Sequence, residues 1–444
     1  MNCDFFCIFA EKYNTIMQVF KFGGASINSA KGVQNVAQII AQHLDKPLIV
    51  VVSAMGKTTN ALEELLAANR EKRDTMPIYN QIRDYHLQIV NELFPDKSHR
   101  IYSELEGVFF AIMNAYKLHN EDYDYQYDQM VGLGEMLSSK ILSYYLQQTE
   151  ISNQWVDVKT CISTDSTFRE GKVNWTLSEI QIREVSKKVF STCNCLVTQG
   201  FIGGDDKGRM VTLGREGSDY SAAIFAYCLN AESMTIWKDV PGFLNADPRY
   251  FEDAQKLDRI TYSEAIELAY YGATIIHPKS IKPLQNRRIP LFVKSFNNPD
   301  AEGSIILNDA SENGAAPNGV KSRMPCYICK PNQVLISIYP KDFSFIAEQN
   351  LSYIFFVFAE NNMKINLIQN SAVSFTVCVD ENKQYFEDLI AALSNNFKVR
   401  YNDRLELITI RHYSEKDIKD VVGDKIVLLE QRNQTTAQLV LQKP

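Results

Sequence analysis

Gln18-Val19-Phe20-Lys21-Phe22-Gly23-Gly24-Ala25-Ser26 opens the part of the chain whose reading decides the fold. Five residues with strand character end on two adjacent glycines, and residues 29–44 follow with helical spacing. Residues 47–52 are then a continuous apolar run, as in a strand buried on both faces. Strand, glycine turn, helix and buried strand in that order predict an α/β domain. Its sheet is expected to be mostly parallel, with helices on both faces in three αβα layers.

The alternation continues outward. Helical periodicity dominates residues 61–118, and 128–146 reads as one further helix. Strand signals return at 154–158, 195–199, 233–238 and 289–293, with helices at 218–229 and 263–271. This predicts a catalytic domain over 17–306 and a linker at 308–322, where Asn, Ala, Gly and Ser accumulate. Beyond it the pattern becomes a βαββαβ succession over 323–402 and a shortened second copy over 403–444, a ferredoxin-like pair.

A chain of 444 residues has room for two or three folding units. Its 46 basic and 53 acidic residues give a net charge of -7 with no long like-charge block, so no footprint for nucleic acid stands out. Nine cysteines without a disulfide-framework pattern suggest reduced thiols and a cytoplasmic location. Cys326-Tyr-Ile-Cys329 has zinc-knuckle spacing but no second pair, and with Cys193-Asn-Cys195 it reads as strand-borne thiols, leaving no metal site expected from the protein alone. Residues 5–10 are apolar but flanked by Asp4 and Glu11, unlike a secretory signal, and no run is long enough to span a membrane.

Chemistry concentrates in four places. Lys21 with Gly23 and Gly24 puts a point charge and approachable backbone N–H groups at the start of a helix, a setting suited to phosphate; a plain tight turn fits equally well. Gly56-Lys57-Thr58 imitates a P-loop, yet Val51 stands where that pattern requires glycine, and Ser53 and Thr59 lie instead where doubly wound folds place ligands. Gly132-Leu-Gly134 is no dinucleotide fingerprint, since Leu137 replaces the third glycine, but it introduces Glu135. The most informative run is Gly208 to Ala222, where Arg215, Ser218 and Asp219 sit between glycines at a helix start. There an arginine can grip a carboxylate with two bonds. Trp237-Lys238-Asp239-Val-Pro-Gly242 and Asn245-Ala-Asp247-Pro-Arg249 add charged loops at a strand end.

Taken together these motifs resemble the aspartokinase family of the amino acid kinase superfamily. The resemblance rests on Lys21 to Ser26, Gly134-Glu-Met-Leu-Ser138, Thr198-Gln-Gly-Phe201-Ile-Gly203, Leu213 to Ala222, Trp237 to Gly242, Asp247-Pro-Arg249 and Tyr271 to Pro278, in order along the chain. It implies phosphorylation of the side-chain carboxylate of L-aspartate by ATP, with Mg2+ accompanying the nucleotide, at the head of lysine, threonine and methionine synthesis. Lys21 would neutralise the transferring phosphoryl group with Asp219 holding it in place. Glu135 would take the substrate ammonium and Arg215 its α-carboxylate, while Ser53, Thr59, Phe201 and Ser218 line the pocket. Gly23, Gly24, Lys238, Asp239, Leu244 and Arg249 would face the nucleotide. The chain departs from the family at Ala25, Lys238, Leu244 and Thr274, where relatives carry threonine, threonine, tyrosine and lysine; Lys238 then supplies the charge that Thr274 lacks.

The C-terminal part resembles the ACT modules of aspartokinases, which implies amino-acid sensing and a homodimer through those modules. Gln349 and Asn350 replace a glycine-containing turn, and Asn366 stands where lysine-sensing relatives place an aspartate for the effector ammonium. No second dinucleotide domain of the homoserine dehydrogenase kind is expected. Two alternatives stay open on sequence: a kinase for glutamate, acetylglutamate, carbamate or UMP, and a catalytically silent amino-acid sensor.

Overall fold

The structure, a computed structural model, describes residues 16–117, 122–273, 276–308, 324–342 and 344–443. The apolar stretch 5–10, most of the expected linker and Thr274 lie outside them. The described residues fall into two compact units, one within Met1–Phe243, Leu257–Ala265 and Ile276–Asp309, the other within Leu244–Lys256, Ile266–Ile275 and Ala310–Pro444.

The first unit is built on an eight-stranded sheet. Its order is Arg259–Thr261, Ser304–Leu307, Leu291–Ser295, Ser233–Lys238, Gln18–Phe22, Leu48–Val52, Cys195–Gln199 and Gln154–Val156. Leu48–Val52 is buried at every position, as its unbroken apolar run requires. All pairings are parallel except that of Ser304–Leu307 with Leu291–Ser295. From Gln18–Phe22 the chain first builds toward Cys195–Gln199 and then returns to add Ser233–Lys238 on the other side. That reversal makes the carboxyl ends of these strands a switch point, where open α/β sheets bind ligands.

Two expected boundaries change in the first unit. The helix read over 128–146 is two helices, Tyr123–Val131 and Leu133–Gln148. A Cβ on Gly132 would lie 2.1 Å from the Met210 sulfur, so glycine there lets the helix junction press on the hairpin of Ile202–Gly204 and Met210–Thr212. The expected single span 17–306 is interrupted, because 244–256 and 266–275 cluster with the second unit. The reason is local bonding: the Tyr327 N–H donates to the Asn245 carbonyl at 2.7 Å, and the Asn245 amide donates to the Pro325 carbonyl at 3.0 Å.

The second unit holds one six-stranded antiparallel sheet, ordered Ile365–Asn370, Phe375–Asp380, Cys326–Pro340, Phe397–Arg411, Thr436–Gln442, Ile426–Arg432. Phe397–Arg411 is a single 15-residue strand that runs through the boundary expected at 402/403. The opening of Cys326–Pro340 pairs with residues 407–411 and its second half with residues 397–405, so the two copies share one sheet. Glu348–Glu360 and Lys383–Asn396 supply the helices; Ile354, Val357, Phe358, Leu389 and Leu393 pack on Val334, Ile336 and Ile338. Cys326 is buried in its strand and Cys329 half-buried, and among the described residues no group of three or more His, Cys, Asp or Glu side chains is placed to hold a metal. No helix of the described residues is long and apolar enough to cross a membrane.

Candidate active site

Lys21 is next to last in the central strand, with its side chain at the sheet's carboxyl edge. Its ammonium pairs with Asp219 at 2.8 Å, both side chains almost withdrawn from water. Asp219 lies in the first turn of Gly217–Leu229, a helix buried over most of its length. The Gly217 and Asp219 N–H groups there donate to the Gly214 and Glu216 carbonyls, so what the start offers an anion is chiefly the positive end of the helix dipole.

Glycines let three loops converge on this pair. A Cβ on Gly24 would meet the Ala54 carbonyl at 2.4 Å, and the Gly56 N–H donates to the Gly24 carbonyl at 3.0 Å, so the turn after the first strand interlocks with that after the second. A Cβ on Gly200 would lie 2.5 Å from the Ser218 Cβ, which brings the end of Cys195–Gln199 against the helix start. Phe201 holds a left-handed backbone, φ 69°, beside Gly217. In the adjoining strands, Trp237 stacks on Phe22 with centroids 5.9 Å apart, packing the ends of the two strands together with aromatic surface.

The result is a cavity of about 330 Å³ lined by Lys21, Gly24, Ser53, Ala54, Gly56, Thr59, Glu135, Phe201, Glu216, Gly217, Ser218, Asp219 and Lys238. Glu135 is 3 % exposed in the first turn of Leu133–Gln148, and one of its carboxylate oxygens has no hydrogen-bond partner among the described residues. Burial pushes its carboxyl up to about 8, against the pull of the Ala54 N–H, the Lys21 charge and the Ser218 hydroxyl. Burial lowers the Lys238 ammonium, with Lys21 adding to the effect and Asp219 and Glu216 opposing it.

Most of the residues singled out from sequence therefore meet in one place. Gly23, Arg215 and Asp239 do not line the cavity; Arg215 is exposed on the loop before Glu216, and Asp239 is exposed just past its strand. Leu244 and Arg249 belong to the second unit, where the Arg249 fork grips Asp247 at 2.6 Å. That unit has its own larger cavity, about 600 Å³, lined in part by Arg249, Tyr327, Glu406 and Lys425 and carrying none of the residues around Lys21. Lys57 of the apparent P-loop is exposed and does not line the cavity. Sequence reasoning missed Gly200, Gly56 and Glu216. The first two act through shape, which spacing does not reveal. Glu216 stood in plain view between Arg215 and Gly217, but its left-handed backbone, φ 53°, shows only in the structure.

The sequence pattern of the amino acid kinase family matches residues 17–295. Lysine-sensitive aspartokinase 3 of Escherichia coli is 30% identical over 368 residues, covering 82% of this chain and 78% of the relative. Aspartokinase 1 of Arabidopsis thaliana chloroplasts is 30% identical, covering 84% and 65%. Among solved structures, E. coli aspartokinase III in complex with aspartate and ADP, in its R-state, superposes with a TM-score of 0.78 at 25% identity over 96% of both chains. The lysine and aspartate complex of the same enzyme, in its T-state, gives 0.77 at 26% identity over 96% and 95%.

Proposed function

The chain belongs to the amino acid kinase family and, within it, to the aspartokinases, and from that premise we propose that this cavity moves the γ-phosphoryl group of ATP onto the side-chain carboxylate of L-aspartate. The observation that carries the reading is the presence, in one small cavity, of an ammonium fixed by Asp219 and a buried carboxyl group with one oxygen that lacks a partner among the described residues. Lys21, fixed by Asp219, faces the transferring phosphoryl group. Lys238 adds a second positive charge beside it. The positive end of the Gly217–Leu229 dipole favours phosphoryl or carboxylate oxygens. The free oxygen of Glu135 takes the aspartate ammonium, and Arg215 folds onto the α-carboxylate from the rim.

Such a site needs no general base, because a carboxylate nucleophile is already ionised at neutral pH. Catalysis then rests on holding the two reactants in line and on fixed charges that need no rearrangement as the phosphoryl group moves. Magnesium would arrive on the nucleotide, since it commonly takes one or two protein carboxylates together with phosphate oxygens. Glu216, with a buried and unpartnered carboxylate oxygen, fits that donor set. When bound, the ion would offset charge on the β- and γ-phosphates.

In the second unit, Ile365–Asn370 and Ile426–Arg432 are edge strands, and Phe345, Phe355 and Phe356 are exposed. We assign this ACT-like unit to homodimer formation, with a cytoplasmic setting that suits the free thiols. A coupled ADP-release assay with aspartate, glutamate and acetylglutamate tests the activity. Turnover with aspartate alone is expected, and turnover that needs another acceptor would sink the assignment.

A further inference from the structure

Glu216 lines this cavity without a part in holding aspartate or in fixing Lys21. It immediately precedes the helix Gly217–Leu229, yet its side chain makes no capping bond. Its backbone is left-handed, φ 53° and ψ 31°, a conformation that costs a side-chain-bearing residue about 1 kcal/mol and that glycine adopts freely. Strain kept at a ligand cavity is a pointer to function when the side chain has somewhere to act. Here it has: the carboxylate lines the cavity, and one oxygen is screened from water with no hydrogen-bond partner among the described residues.

The neighbours decide what that oxygen awaits. Burial and the Asp219 carboxylate raise the Glu216 pKa, while Lys238, Arg215 and Lys21 lower it. Glu216 therefore sits among the lysines of the cavity, whereas Glu135, which also feels Lys21, is already engaged by the Ala54 N–H, the Ser218 hydroxyl and the Gly200 N–H. Asp219 already holds Lys21. An unpartnered carboxylate oxygen on the polyphosphate side is repelled by the nucleotide unless a cation comes between them.

Resting on the kinase reading above, we infer that Glu216 is a ligand, directly or through one water, of the divalent cation that accompanies the nucleotide. The test compares the parent with Glu216→Gln and Glu216→Gly, titrating ADP by calorimetry with and without Mg2+ and following Mn2+ binding to the ADP complex by electron paramagnetic resonance. The parent binds ADP more tightly with Mg2+. In both variants Mn2+ affinity falls about tenfold or more, while affinity for ADP alone holds or rises because a negative charge has gone. Glu216→Gly should melt no lower than the parent, since it relieves the backbone, which separates loss of a ligand from loss of fold. Mn2+ affinity within twofold of the parent in Glu216→Gln would overturn the inference and leave the kinase reading intact. Failure of the parent to bind ADP at all would overturn both.

Discussion

Burial favours the protonated form of Glu135. Its pKa near 8 means that at neutral pH the carboxyl carries a proton, yet an aspartate ammonium is held well only by the anion. Binding aspartate should therefore expel about one proton per site near pH 6 to 7 and almost none above pH 9, read by calorimetry in buffers of different ionisation enthalpy. The stability sign follows from the same shift. The native state keeps a proton that the unfolded chain loses near the ordinary value of 4.5, so stability is complete below that pH and declines as pH rises toward 8. Glu135→Gln should be more stable than the parent at pH 8, by on the order of a few kcal/mol, with the gap closing below pH 5. A proton count independent of pH would remove Glu135 from the ammonium site.

Lys21 has two duties that substitution can separate. Lys21→Ala should lower kcat by orders of magnitude, because its charge is wanted most in the transition state. It should also destabilise the fold by roughly 3 kcal/mol, since Asp219 is left buried without its partner. The double variant Lys21→Ala with Asp219→Asn should recover stability in a thermal melt but not activity. Recovery of turnover would contradict the phosphoryl role.

At the scale of elements, the loop after the first strand works because Gly24 has no side chain. Gly24→Ala places a methyl group 2.4 Å from the rigid Ala54 carbonyl, so the loop must shift and kcat/KM for ATP should fall about tenfold or more. Gly107→Ala is the control. It lies inside Arg100–Ala115 with nothing within 4 Å of an added Cβ, and should raise the melting temperature without touching activity. Equal effects from the two would show that the Gly24 contact is unimportant. Legibility divides along the same line. The strand ending on Lys21-Phe-Gly-Gly could be read because apolar period and glycine pairs are local. The dovetail of Gly200 with Ser218, and the break at Gly132, depend on residues far apart in sequence meeting within 3 Å of where a Cβ would stand. The boundary expected at 402/403 falls inside Phe397–Arg411, because pairing with Cys326–Pro340, which is distant in sequence, carries the chain straight through.

Across the whole molecule, the order of motifs from Lys21 to Arg249 carried the family and the chemistry, while regulation could be read only in outline. The Lys330 ammonium donates to the Asn366 carbonyl at 2.9 Å, and the Asn366 amide donates to both Gln333 and Asp380 at 2.9 Å. The space left there is about 10 Å³, at the limit for one water. Gln349 and Asn350 lie inside the first turn of Glu348–Glu360, where the Asn350 side chain accepts from the Ala347 N–H. A free lysine would have to displace a tethered one and would find no carboxylate at Asn366. Inhibition by lysine is expected to be weak or absent at millimolar concentration; half-inhibition in the micromolar range would contradict this.

The central claim is that the side-chain carboxylate of aspartate is the phosphoryl acceptor. The most direct measurement traps the acyl phosphate with hydroxylamine and locates the product by mass spectrometry. Aspartate β-hydroxamate should form in step with ADP, only when ATP and aspartate are both present, and should vanish in the Lys21→Ala variant. Hydroxamate at the α-carboxyl, or none while another acceptor supports ADP release, would contradict the account.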